Sequence, residues 1–145
     1  MNIRTLICMW TGALVTLASA TSPLVGRAAP RVSTQTATVR DRVYAEDQAT
    51  RGKGIYDAKC ASCHDGGTMG PELWGDPFLT SWENKALAEF FTRIKVTMPE
   101  DAPGSLSPKE VLDVIAYVLK TNGFPAGDNA MDSADPLTAI KFVKK

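Results

Sequence analysis

Two cysteines and the only histidine of the chain form the feature that most constrains its fold. They lie in the stretch Cys60-Ala-Ser-Cys63-His64, and a loop of about two dozen residues rich in glycine and proline follows. Loops of that length without secondary structure are uncommon in compact domains. The sequence therefore predicts that something other than helices or strands organises the region that begins at this cluster.

Three helices are predicted around the loop. The first covers about residues 46–59, where apolar residues recur at three- and four-residue spacing. The second begins near Asn84 as its N-cap and ends before Pro99. The third begins at the capping box Ser107-Pro-Lys-Glu110 and stops at Gly123. No strand pattern competes with them, so the predicted fold class is all-α with three main helices.

The first 20 residues have the pattern of a secretory signal peptide. A short basic start precedes an apolar run and the small residues Ala18-Ser19-Ala20. Cleavage would remove Cys8 and leave Cys60 and Cys63 as the cysteines of the mature chain. We expect an exported, periplasmic protein, with an uncleaved membrane anchor as the alternative.

The rest of the chain divides into three predicted parts. Residues 21–44, rich in Ser, Thr, Ala, Arg and Pro, are expected to be a flexible linker. Residues 45–127 form the predicted domain, and residues 128–145 a C-terminal extension that wraps on the core, docks a partner or does neither. Between residues 43 and 120 there are eight basic and twelve acidic residues, a net charge of −4. A nucleic-acid-binding domain would carry a basic face, so no nucleic-acid partner is expected.

Four kinds of site could use the cysteine and histidine cluster. A disulfide between Cys60 and Cys63 would close a very small loop and constrain little. A thioredoxin-type redox pair belongs in a βαβ unit that this sequence lacks, and a zinc site needs further ligands that it does not supply. The spacing C-x-x-C-H is the signature of covalent haem attachment, in which both thiols bind the haem and His64 is placed to coordinate iron. The last interpretation needs the fewest missing residues.

A six-coordinate electron-transfer haem needs a second axial ligand, and methionine is the common choice. Met69 follows His64 by only five residues, too few for the chain to reach the other haem face. Met131 lies in a polar tail with little to hold it rigid. Met98 follows His64 by 34 residues and precedes Pro99 on the loop after the second helix. We therefore predict Met98 as the ligand.

With these residues the sequence resembles the class I monohaem c-type cytochromes, over about residues 48–123. Gly52 and Tyr56 match the N-terminal helix of that family, where glycine permits a close helix crossing, and Tyr117 matches the aromatic residue of the C-terminal helix. The resemblance implies the cytochrome c fold for residues 45–127, with one haem c bound through Cys60 and Cys63.

Two further motifs match the family and imply roles for their residues. In Gly-Pro-Glu-Leu, residues 70–73, the carbonyl of Pro71 would accept a hydrogen bond from His64 Nδ1, and Leu73 would pack on the haem. Thr-Met-Pro, residues 97–99, matches the loop of the distal ligand. Residues 97–127 are similar to cytochromes that accept electrons from quinoprotein dehydrogenases. That likeness would make Trp82 a hydrogen-bond donor to a haem propionate, whereas Trp74 is expected only to pack.

The predicted function is periplasmic electron transfer rather than catalysis. The expected partners are redox proteins: a dehydrogenase, with the quinoprotein type as one candidate, as donor, and a terminal oxidase or another cytochrome as acceptor. The free protein is expected to be a monomer. Two alternatives stay open, a haem subunit fixed in a larger dehydrogenase complex and a five-coordinate haem protein that binds small ligands or peroxide.

Overall fold

A computed structural model describes residues 36–66 and 69–144, and within them the fold is all-α, as predicted. The predicted signal peptide, Cys8 and the first part of the predicted linker lie outside the described residues. Two short strands and a 3-10 helix at Asp135–Ala139 accompany five helices. The helices are α1 (Glu46–Lys59), α2 (Ala61–His64), α3 (Gly75–Trp82), α4 (Leu87–Thr97) and α5 (Pro108–Thr121); the strands are β1 (Ala37–Thr38) and β2 (Ile140–Lys141).

The crossing of α1 and α5 is the central contact of the fold. Gly52 of α1 is buried there, and a Cβ atom added to it would lie 1.8 Å from the backbone oxygen of Asp113. One turn further along α1, the rings of Tyr56 and Tyr117 pack with centroids 5.1 Å apart. Glycine is therefore needed at this position because the two backbones nearly touch, as the sequence predicted.

An ion-pair cluster fastens the same crossing and was not predicted. Asp113 is only 3% exposed, and its Oδ2 lies 3.2 Å from Arg51 Nε and 2.8 Å from Lys109 Nζ. Burial alone would raise the pKa of the Asp113 carboxyl. The hydrogen bonds and charges of Lys109 and Arg51 outweigh that effect and hold the pKa below its ordinary value.

Both ends of α5 have the predicted caps. The Ser107 hydroxyl accepts a hydrogen bond from the Glu110 backbone N–H at 3.3 Å, and the Glu110 carboxylate accepts one from the Ser107 N–H at 2.7 Å. At the other end Gly123 has a φ of 75°, and its N–H donates to the carbonyl of Lys120 at 2.8 Å. These local hydrogen bonds satisfy backbone groups that the helix itself leaves unpaired.

The predicted start of the second main helix was wrong. Helix α4 begins at Leu87, and the carboxylate of Glu89 accepts a hydrogen bond from the Ala86 N–H at 3.0 Å. Asn84 instead has a φ of 64°, and its N–H donates to the carbonyl of Phe142 at 3.0 Å. Asn84 thus belongs to a left-handed turn that receives the C-terminal segment, because asparagine tolerates positive φ well.

Helix α3 lies inside the segment that the sequence predicted as a loop. It buries Phe78 and Leu79 in the core, and the ring centroids of Trp82 and Phe78 lie 6.4 Å apart. The apolar spacing of these residues, after Asp76 in the first turn, was the available signal for a short helix. The glycines and prolines around it obscured that signal.

The described residues before α1 and after α5 are part of the fold, and residues 36–44 correct that part of the predicted linker. Although residues 21–44 were expected to be flexible, Val39 and Tyr44 are buried in the core. Strand β1 pairs in parallel with β2 of the C-terminal extension, and Phe142 is fully buried among aromatic rings of α3 and α4. The extension therefore wraps on the core. Of the helices in residues 36–66 and 69–144, none combines the length and apolar character needed to cross a membrane.

Candidate haem site

The cysteine and histidine cluster lies where α1 passes into α2. Helix α1 ends at Cys60, whose N–H donates to the carbonyl of Tyr56 at 2.8 Å. Cys63 and His64 follow on the single turn of α2. Both cysteines are free and partly buried. Burial, and to a smaller extent the neighbouring Cys63, raises the pKa of the Cys60 thiol to about 11.

The His64 ring is held by the loop that follows it. Its Nδ1 lies 2.7 Å from the carbonyl oxygen of Pro71, and because a carbonyl can only accept, Nδ1 carries the proton. The Nε2 lone pair is then available to a metal. Gly70 makes this approach possible, since a Cβ there would lie 2.9 Å from Cε1 of the imidazole.

A cavity of about 750 Å³ brings the predicted residues together. The sulfur-bearing side chains around it are those of Cys60, Cys63, Met69 and Met98. His64, Pro71 and Leu73 also line it, and Ile94 and Val114 add apolar surface. Met98 is the residue at which α4 ends, so the end of that helix determines its position.

The sequence comparisons agree with this geometry. The family described as cytochrome C oxidase, cbb3-type, subunit III, matches residues 47–118, which begin in α1 and end within α5. The chain carries a monohaem c-type cytochrome domain. Cytochromes of this type are haem-based electron-transfer proteins and bind haem c covalently.

Among curated relatives, the cytochrome is similar to thiosulfate dehydrogenase of Allochromatium vinosum. The two are 33% identical over 87 residues, which is 51% of this chain and 32% of the relative. The matched part thus spans about a third of that enzyme's length. No solved structure matches the chain significantly.

The residues of the cavity fit a covalently bound haem. Two free thiols stand three residues apart beside an imidazole whose Nδ1 is already engaged. The cavity volume lies within the range of cofactor pockets, and its walls combine apolar side chains with one thioether at the end of a helix. No group of three or more His, Cys, Asp or Glu residues suited to a metal ion occurs in the described ranges.

The three methionines within residues 36–66 and 69–144 occupy different environments. Met69 lines the cavity but is 75% exposed. Met131 is buried in the core away from the cavity lining, and its backbone N–H and C=O bond the Gln48 side chain at 2.9 and 3.0 Å. The expectation that the tail around Met131 has little to hold it rigid was therefore wrong. Of the three, only Met98 is both partly buried and in the cavity wall.

Trp82 is not among the residues that line the cavity, and its role at a haem propionate stays a prediction. The centroid of its ring lies 4.8 Å from that of Phe90 and 5.8 Å from that of Phe142. The Lys85 ammonium lies over the same ring, 5.0 Å from its centroid. The C-terminal segment draws Trp82 into an aromatic cluster. The rings of Trp74 and Tyr56 pack with centroids 5.9 Å apart, and packing of Trp74 in the haem pocket stays a prediction.

Sequence reasoning missed the side chains of Asn122 and Asp65, whose hydrogen bonds position the site. The buried Asn122 amide donates to the Leu73 carbonyl at 2.9 Å and accepts from the Gly75 N–H at 3.1 Å, which holds the loop after Pro71 against α5. The Tyr56 hydroxyl donates to Asp65 Oδ1 at 2.8 Å. Burial and the Asp65 carboxylate raise the pKa of Tyr56, so the hydroxyl keeps its proton. These three hydrogen bonds join residues that only the fold brings close together.

Proposed function

We propose that the chain is an exported electron carrier that holds one haem c through thioether bonds to Cys60 and Cys63. His64 and Met98 serve as its axial ligands. The observation that carries the proposal is the shared cavity, in which both thiols, the oriented imidazole and the Met98 thioether meet. When bound, haem c supplies a reversible one-electron couple.

The chain's own residues keep the site suited to electron transfer rather than catalysis. The Pro71 carbonyl fixes the tautomer and ring orientation of His64 and makes its free nitrogen a better donor. Leu73, Ile94 and Val114 exclude water from the cavity wall, and the polarity of that wall sets the reduction potential together with the ligands. With both axial positions filled by protein, no coordination position is left for a substrate.

The signal-peptide pattern of residues 1–20 supports the proposed export to the periplasm. The donor we propose is a periplasmic dehydrogenase, with the quinoprotein type as one candidate, and the acceptor is a downstream cytochrome or terminal oxidase. The free carrier is a monomer. Fractionation of cells that produce the full chain tests the location: the processed haem protein should be released with the periplasm.

Covalent attachment and ligation can be tested separately. The full chain is produced with a haem-attachment system and stained for haem after denaturing electrophoresis. Cys60→Ser with Cys63→Ser should abolish the stain. In the oxidised spectrum, the weak sulfur-to-iron band near the red edge should be lost in Met98→Ala and kept in Met69→Ala. Persistence of that band in Met98→Ala would exclude Met98 as the ligand and leave the five-coordinate alternative without support.

A second candidate function is suggested by the relative named thiosulfate dehydrogenase. In this alternative the chain is a haem subunit within a dehydrogenase complex. Gel filtration of the periplasmic fraction separates the two: a haem peak of about the size of the chain favours the free carrier, and co-elution with a larger protein favours the complex. Sustained oxidation of thiosulfate by the purified holoprotein, with an added electron acceptor, would show that the chain is itself an enzyme.

A further inference from the structure

The side chain of Asn122 binds two backbone groups of the loop that follows the cysteine and histidine cluster. Its Nδ2 donates to the Leu73 carbonyl at 2.9 Å, and its Oδ1 accepts from the Gly75 N–H at 3.1 Å. The same Nδ2 donates to the Val118 carbonyl of α5 at 2.8 Å. Asn122 is only 4% exposed, and both polar atoms of its amide are bonded. These bonds, which we call the amide clamp, fasten the loop to the end of α5.

The amide clamp closes a short backbone segment whose other end is also fixed. At that end the Gly70 N–H donates to the Cys63 carbonyl at 2.9 Å. Only Pro71 and Glu72 lie between Gly70 and the clamped Leu73, and both are exposed. Because core packing does not hold Pro71, the place of its carbonyl depends on the two anchored ends of the segment.

The His64 ring takes its orientation from this segment. The Pro71 carbonyl accepts the hydrogen bond of His64 Nδ1 at 2.7 Å. Such a bond makes the imidazole a stronger donor through its other nitrogen. A displacement of the carbonyl by about 1 Å would stretch the bond beyond ordinary hydrogen-bond distance. The donor strength of His64 therefore depends on where the amide clamp holds the loop.

We propose that Asn122 is a positioning residue for the iron ligand His64. This role rests on the proposed electron-transfer function and belongs to a residue outside the described cavity lining. Asn122 follows His64 by 58 residues, and its amide keeps the Pro71 carbonyl against Nδ1. A stronger imidazole donor stabilises oxidised iron, so the amide clamp lowers the reduction potential.

Gln48 provides a matched control because its side chain makes the same kind of bonds elsewhere in the fold. It is 1% exposed, and its amide accepts from the Met131 N–H at 2.9 Å and donates to the Met131 carbonyl at 3.0 Å. Gln48 and Met131 both lie outside the described cavity lining. Asn122→Ala and Gln48→Ala thus each remove a buried amide that binds a backbone N–H and a backbone carbonyl.

Deuterium exchange of the His64 Nδ1 proton measures the hydrogen bond to Pro71 directly. The full-length holoprotein is labelled with ¹⁵N, reduced so that its iron is diamagnetic, and followed by NMR in D₂O. We expect Asn122→Ala to accelerate this exchange at least about tenfold, measured against the buried Ile115 amide, and Gln48→Ala to change it less than about twofold. Equal acceleration by both variants would show a general loss of stability and would overturn the proposal.

The reduction potential is a second readout on the same holoproteins. Voltammetry should give a higher potential for Asn122→Ala than for the wild type, and an unchanged potential for Gln48→Ala. A lower potential for Asn122→Ala is the direction expected if the variant only admitted water to the site. That result would contradict the role of Asn122 in setting the donor strength of His64.

Exchange in the wild-type holoprotein tests the proposal even if Asn122→Ala does not fold. The Gly75 amide should be protected at least as strongly as His64 Nδ1, because the imidazole bond persists only while the amide clamp is closed. Protection of the Gly75 amide more than about tenfold weaker than that of His64 Nδ1 would overturn the proposal. A holoprotein that stains for haem and cycles reversibly in voltammetry, yet keeps the His64 signal unchanged in Asn122→Ala, retains its proposed function and loses only the role of Asn122.

Discussion

The replacement Gly52→Ala tests the helix crossing on which the whole site depends. The new Cβ would lie 1.8 Å from the Asp113 oxygen and 3.0 Å from the Val114 nitrogen, both backbone atoms that cannot rotate away. Ordinary contact begins at about 3.4 Å, so α1 and α5 would have to move apart by about 1.6 Å. A gap of even about 1 Å removes up to about half of the dispersion energy of each contact.

The expected free energy of unfolding follows from these opposing effects. Overpacking of a tight site costs about 1–3 kcal/mol or more, and the loosened contacts along the crossing add to it. Alanine returns about 1 kcal/mol through its higher helix propensity. We expect a net loss of about 3 kcal/mol, which lowers the melting temperature by roughly 10 °C or more.

Gly54→Ala is the matched control for this prediction. Gly54 lies on the same helix, and a Cβ there would meet nothing within 4 Å. The control should gain up to about 1 kcal/mol from propensity alone. Urea unfolding of both holoproteins, followed by far-ultraviolet circular dichroism, measures the difference. If Gly52→Ala proved as stable as Gly54→Ala, the close backbone contact would not exist and the argument for glycine at the crossing would be refuted.

Three further predictions concern charge, packing and the site. Asp113→Asn should lower the free energy of unfolding by about 2 kcal/mol at neutral pH. The ionised Asp113 carboxylate stabilises the folded protein fully above its unfolded pKa of about 3.9. That stabilisation is lost as the pH falls through the lowered pKa of the folded state. The variant should therefore lose less stability on acidification than the wild type, and parallel unfolding curves would contradict this. Phe142→Ala should lower the free energy of unfolding, measured with urea, by about 3–5 kcal/mol. The adjacent Lys141→Ala should lower it by less than about 1 kcal/mol. Gly70→Ala should displace the His64 ring and shift the reduction potential; an unchanged potential in voltammetry would exclude the tight contact.

The helices could be predicted wherever a local pattern encodes them. Ser107 and Glu110 lie within one turn, so their reciprocal hydrogen bonds need no distant partner. The same holds for Gly123, whose positive φ ends α5. Helix α3 was missed because its glycine and proline neighbours resemble a loop, while the burial of Phe78 that stabilises it comes from distant residues.

Composition could not predict that residues 36–44 and the C-terminal extension belong to the core. Val39 and Tyr44 follow a polar segment, and their burial depends on the parallel pairing of β1 with β2 about 100 residues later. The same C-terminal segment places Phe142 against Trp82 in an aromatic cluster. Such contacts are collective, because each side chain is buried only when the others are in place.

The sequence by itself determined the chemistry of this protein. Five residues, Cys60 to His64, bring two thiols and an imidazole within one helical turn, and backbone geometry fixes their spacing regardless of the rest of the fold. Only the tertiary structure decided which methionine lines the cavity while partly buried, and which aromatic rings surround Trp82. Those features join residues that are far apart in the chain. They therefore depend on the close crossing of α1 and α5 and on the C-terminal segment that contains Phe142.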